Sequence, residues 1–150
     1  MRKRLNQYMG RFKRLYRLNE ALHQGRQERL RARGLPSESW EGFAERVFKE
    51  AAPTFILSTG RCGTKLLTEA FERQPGVLCA HSPTPELLYE SRLAYEQGEG
   101  GAGERRAAIR GARFEIIAEA YLRERVYIET NNRVTFFAHE LAELFPNSRF

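Results

Sequence analysis

Residues Thr54-Phe55-Ile56-Leu57-Ser58-Thr59-Gly60-Arg61-Cys62-Gly63-Thr64-Lys65-Leu66-Leu67 limit what this chain can become more than any other stretch. The apolar run after Pro53 and before Gly60 has the length of a buried strand, and Leu66, Leu67, Ala70 and Phe71 recur at helical spacing beyond Gly63. The segment therefore reads as a strand, a glycine-bearing turn and a helix start. Such a turn aims backbone N–H groups and the positive end of the helix dipole at one point, and Arg61 and Lys65 add two cations beside it. A phosphate or sulfate group suits that arrangement. The plainer alternative is a strand-to-helix turn whose glycines serve backbone geometry and whose cations face water.

Spacing narrows the choice of anion loop. After Gly63 the order is Thr64-Lys65, and no glycine stands five residues before Gly63, so the triphosphate signature of Gly-Lys-Ser/Thr is not met. The Gly60 loop does not read GxGxxG, which removes the dinucleotide fingerprint there, and the chain contains no aspartate to hold Mg²⁺ in the usual triphosphatase manner. The run Gly60 to Leu67 resembles the 5′-phosphosulfate loop of sulfotransferases that use 3′-phosphoadenosine 5′-phosphosulfate (PAPS), a strand followed by Arg/Lys-Ser-Gly-Thr-Thr and a helix. Cys62 stands at the frequent serine and Lys65 at the second threonine.

Charge is distributed unevenly. Residues 1–35 hold eleven Arg/Lys against two Glu, whereas the remainder holds fourteen basic against seventeen acidic residues, so the net +6 belongs to an N-terminal arm. Within that arm Leu5, Tyr8, Met9, Phe12, Leu15, Tyr16 and Leu22 recur at helical spacing, an apolar stripe on an arginine-rich helix that Gly34-Leu35-Pro36-Ser37 ends. Docking on protein, lying on an anionic membrane and gripping nucleic acid compete as its use, and so regular an apolar stripe favours protein or membrane surface over nucleic acid. No apolar run is long enough to span a bilayer and no secretion signal opens the chain, so the reading is a cytoplasmic protein whose Cys62 and Cys79 are thiols. With only His23, His81 and His139 beside those cysteines, and no CxxC or HExxH spacing, no metal is expected.

The remaining pattern alternates. Trp40, Phe43, Ala44, Val47, Phe48 and Ala51 trace one helical face closed by Pro53; Val77-Leu78-Cys79-Ala80 reads as a second strand. Thr84 is suited to cap, and Pro85 to begin, a helix reaching about Gln97; Gly98 to Gly103 reads as a mobile loop, and Glu104 to Arg125 as a long helix. Val126 to Thr130 is a third strand, and Asn131-Asn132-Arg133 turns into a helix carrying Phe136, Phe137, Leu141 and Leu144. This order predicts an α/β domain over 36–150, a parallel sheet covered by helices, preceded by the helical arm over 1–35. In such a sheet the three strand ends share one rim, bringing together Gly60 to Lys65, His81 with Glu86, and Glu129 to Arg133.

The resemblance extends along that rim. Ala80-His81-Ser82-Pro83 and Pro85-Glu86 are similar to the His or Glu beside proline that follows the family's second strand. Tyr127-Ile128-Glu129-Thr130-Asn131-Asn132-Arg133 is similar to a strand ending in Glu/Asp-Lys-Asn/Thr-Pro, and Leu144 to Phe150 to Leu-x-x-x-Phe-Pro-x-Ala-Lys-Phe. It implies a three-layer sheet of the P-loop-kinase and sulfotransferase type, and transfer of a sulfuryl group from PAPS to a hydroxyl or amine acceptor. Gly60, Arg61, Cys62, Gly63, Thr64 and Lys65 would hold the cofactor, Arg61 and Lys65 would take up charge, and His81 or Glu86 would serve as base. A P-loop-kinase-like nucleotide-binding protein and a non-catalytic module acting through the basic arm are the alternatives. The family's Arg-x-Pro segment and later serine, which hold the 3′-phosphate, are not found, and Ser148-Arg149-Phe150 stand where the next strand is due. The expectation is therefore an incomplete, inactive domain with an open apolar edge from Phe55 to Thr59 and no measurable affinity for adenosine 3′,5′-bisphosphate, Arg133 being the first substitute for the missing 3′-phosphate ligands.

Overall fold

The computed structural model describes residues 39–150 apart from Glu99. The basic arm over 1–35, its three uses and the break at Gly34 to Ser37 lie outside these residues. Helix α1 (Trp40–Glu50) begins where the Ser39 side chain accepts from the Gly42 N–H at 3.1 Å, and it buries Phe43, Ala44 and Val47 along the face that the spacing predicts. It stops at Ala51, two residues short of Pro53. The order that follows is β1 (Thr54–Ile56), α2 (Thr64–Glu72), β2 (Val77–His81), α3 (Leu88–Gln97), α4 (Ala102–Leu122), β3 (Val126–Thr130), a 3₁₀ turn over Asn132–Phe137, and α5 (Ala138–Leu144).

The three strands form one parallel sheet in the order β1-β3-β2. Ile56 and His81 both stand in register with Thr130, so all three strand ends lie on one rim. Neighbouring residues of β3 meet helices on opposite faces: Glu129 is bonded to Arg113 of α4, and Thr130 to Thr68 of α2. The α4 face carries an aromatic core in which Phe48 lies 5.2 Å from Phe114 and 5.1 Å from Phe145, with Trp40 edge-on to Phe114 at 5.7 Å. A fully buried ring such as Phe145 contributes about 1.5–3 kcal/mol.

Four expectations are corrected. The first strand ends at Ile56 because Ser58 gives its N–H to the Thr135 hydroxyl at 3.1 Å and its carbonyl accepts from that same hydroxyl, which takes it out of the ladder. Leu66 and Leu67 of α2 are exposed, at 71% and 41%, and Thr68 is the buried residue of that helix. The third helix starts at Leu88 rather than at Pro85: the Pro85 carbonyl is taken by Arg113 Nη1 at 2.8 Å, and Leu87 is sunk into the core with a left-handed backbone, φ 59°. The glycine-rich run is not loop throughout, since α4 already begins at Ala102, and Arg105 Nη1 donates to the carbonyls of Gly98 and Gly100 while its Nε holds Glu140 at 2.5 Å.

The edge of β1 is engaged at its start. Phe55 N–H donates to the Arg149 carbonyl and Arg149 N–H to the Pro53 carbonyl, each at 2.9 Å, a parallel rung that sets the Phe150 ring 6.0 Å from Phe55. Among the described residues no helix is long and apolar enough to cross a membrane.

Candidate functional site

The loop between β1 and α2 is shaped by two left-handed residues, Arg61 at φ 64° and Gly63 at φ 83°. A Cβ on Gly63 would meet nothing within 4 Å, so the backbone conformation alone favours glycine there. Gly63 caps α2 without a side-chain acceptor, leaving the first amides of the helix to whatever lies before them. Cys62 turns inward on its own loop, its Sγ donating to the Thr59 carbonyl at 2.8 Å. Arg61 and Lys65 are exposed, and neither forms an ion pair among the described residues. Beside the loop lies the segment after β3, where Asn132 Nδ2 is 3.8 Å from the point a Gly60 Cβ would occupy.

At the end of β2, His81 is an exposed side chain anchored by one nitrogen: its Nδ1 lies 3.0 Å from Thr130 Oγ1. Thr130 is fully buried and lies 2.5 Å from Thr68 Oγ1, which donates to the Thr64 carbonyl at 2.9 Å. A continuous path of hydroxyls thus connects the first residue of α2 to the His81 ring. Glu86 lies outside any helix, half-exposed, and is held by Arg133 Nη1 at 2.9 Å. Arg133 is thereby the partner of a carboxylate rather than a free cation.

Behind the rim, Glu129 is buried in a polar cluster. Arg113 reaches it through Nε at 2.6 Å and Nη2 at 2.9 Å, the Tyr127 hydroxyl donates to it at 2.9 Å, and Asn131 Nδ2 donates at 3.1 Å. Burial first, then the Glu129 charge, holds the Tyr127 phenol well above its ordinary value. Burial and then the Glu72 carboxylate push the Cys79 thiol up. Glu129 and Asn131 tie the strand end to its neighbours, Asn131 Oδ1 also accepting the Arg133 N–H at 3.0 Å.

The structure thus brings the Gly60 to Lys65 loop, His81 and the Glu86–Arg133 pair to one rim. Sequence reasoning missed Thr68 and Arg113, and it brought Thr130 to the rim without giving it a role. Arg113 had a signal: it interrupts the apolar row Ile109, Ile117 on a helix, and a cation in such a row requires a buried carboxylate. Thr68 had a weaker one, a hydroxyl residue standing one turn after Thr64. Among the described residues no three His, Cys or Glu side chains converge as metal ligands. Comparison of the chain with protein-family models, with curated proteins and with solved structures finds no match.

Proposed function

We propose that this α/β domain belongs to the P-loop-kinase and sulfotransferase architecture and transfers the sulfuryl group of PAPS to a hydroxyl or amine acceptor. The observation that carries the reading is the meeting, on one rim, of an uncapped helix start with two unpaired cations and an imidazole whose outer nitrogen is free of any protein partner among the described residues. The residues present suit the 5′-phosphosulfate: left-handed Gly63, the first amides of α2, and Arg61 and Lys65 offer N–H groups and charge to an anion. The buried Ser58 Oγ, just before the loop, has no hydrogen-bond partner among the described residues and adds one further polar group.

PAPS, when bound, supplies the sulfuryl group and the departing phosphate. This chain supplies Arg61, Lys65 and the loop amides where negative charge accumulates, a preorganised arrangement whose single members are typically worth about a hundredfold or more in rate. His81 accepts the acceptor's proton at Nε2. Glu86 is the less suitable base because its carboxylate is already occupied by Arg133.

Adenosine 5′-phosphosulfate tests the loop without a 3′-phosphate clamp. Added to the ¹⁵N-labelled chain, it is expected to shift the amides of Gly60 to Lys65, and the shifts are expected to vanish in Arg61→Ala/Lys65→Ala. Undisturbed loop amides, or tighter binding of ATP with Mg²⁺, would overturn the reading and turn attention to a P-loop-kinase-like nucleotide site.

A further inference from the structure

We infer that Thr68 and Thr130 fix the proton order of the rim, holding neutral His81 with its hydrogen on Nδ1 and its lone pair on the outward Nε2. Each hydroxyl has one hydrogen. Thr68 spends its hydrogen on the Thr64 carbonyl, 2.9 Å away, because a carbonyl can only accept. Between Thr68 and Thr130, at 2.5 Å, the hydrogen must then come from Thr130. Thr130 has none left for the imidazole, so the 3.0 Å contact is made by His81 Nδ1–H donating to Thr130 Oγ1.

The reverse order is disfavoured by the same geometry. If Thr68 donated to Thr130 and Thr130 to His81, the Thr68 and Thr64 oxygens would face each other at 2.9 Å with no hydrogen between them, in a site where Thr68 and Thr130 are 4% and 0% exposed. Cys79, which also neighbours Thr68, offers only a weak sulfur acceptor and does not displace the carbonyl. The chain of hydroxyls also persists when Nε2 takes up a proton, since Nδ1 donates to Thr130 in both the neutral and the charged ring. A proton can therefore arrive at His81 without any hydroxyl turning over. The use of His81 as the acceptor's base rests on the sulfuryl-transfer reading; the proton order does not, and Thr68 and Thr130 are positioning residues that act through the ring.

Nitrogen-15 spectra of histidine-labelled protein read the tautomer directly, with His23→Gln and His139→Gln isolating the His81 signals in the 150-residue chain. At a pH where the ring is neutral, a protonated Nδ1 and an unprotonated Nε2 are expected. Thr130→Val removes the acceptor, and Thr68→Val, which never touches the ring, frees the Thr130 hydrogen; both are expected to move the ring toward the Nε2–H form, whereas Thr130→Ser keeps Nδ1–H. An Nε2–H ring in the unmodified protein, or an Nδ1–H ring that survives both valine substitutions, overturns the proposal. If the valine variants do not fold, the unmodified protein and Thr130→Ser decide it. A tautomer as expected, with sulfuryl transfer unchanged in His81→Gln, rejects the base role while leaving the proton order standing.

Discussion

Arg113 and Glu129 meet through two parallel hydrogen bonds, Nε to Oε2 at 2.6 Å and Nη2 to Oε1 at 2.9 Å, with neither side chain reaching solvent. Removing one member strands the other charge in the interior. Arg113→Met is expected to cost about 3–5 kcal/mol in urea unfolding, and the double variant Arg113→Met/Glu129→Gln less than the single one, because the amide carries no charge to strand and its one oxygen still accepts from Tyr127 or Asn131. A double variant as unstable as Arg113→Met would count against an ionised Glu129.

Tyr127 gives the folded state an alkaline limit. Burial, and after it the charge of Glu129, raises the phenol pKa well above 10.0. Above its ordinary value the unfolded chain has released this proton while the folded chain retains it, so the folded state binds more protons there. The contribution is complete below about pH 10 and is lost as pH climbs toward the folded-state value. Unfolding midpoints taken at about pH 9 and about pH 11 are expected to fall further in the unmodified protein than in Tyr127→Phe. Parallel losses in the two would remove Tyr127 from the account.

Among the described residues Arg61 and Lys65 have no ion-pair partner to lose. In a form of the protein that turns over PAPS, Arg61→Ala and Lys65→Ala are each expected to lower sulfuryl transfer by about a hundredfold or more while moving unfolding free energy by less than about 0.5 kcal/mol. Turnover from PAPS, measured beside a urea curve for each variant, separates the two effects. Full turnover in both variants would sink the loop assignment.

The two apolar helix faces are expected to respond oppositely. Phe43→Ala opens a cavity at a residue with 0% exposure and is expected to cost about 3–5 kcal/mol. Leu66→Gln alters a side chain that is 71% exposed and is expected to change stability by less than about 0.5 kcal/mol. Thermal and urea unfolding of the pair check this, and a large loss in Leu66→Gln would mean that the helix buries that face.

Much of the fold was legible because its signals are local. Val126 to Thr130 needed only its β-rich run, and α1 only the spacing of Phe43, Ala44 and Val47 with a serine before it and a proline after. The α2 face was misread because periodicity reports that a helix has an apolar side, not what covers it; Leu66 and Leu67 keep the helical spacing and remain exposed. The α3 start was misread because Thr84-Pro85 is a sound local start signal, and a long-range bond from Arg113 to the Pro85 carbonyl outweighs it. At the site, the glycines and cations announce themselves in sequence. The Thr64–Thr68–Thr130–His81 path does not, since it joins three elements brought together only by the sheet register.

Of the three described strands, the one latest in the sequence stands in the middle. With the order β1-β3-β2, the outer two strands share no hydrogen bond, and every rung between named strands waits for Val126 to Thr130. During synthesis the helices can form as they emerge, but the apolar strand segments around Phe55 and Leu78 leave the ribosome with no sheet to join. The sheet then closes in a single late event that shuts two long loops at once, which makes assembly slow relative to helix formation and leaves the nascent chain a client for factors that shelter extended apolar segments.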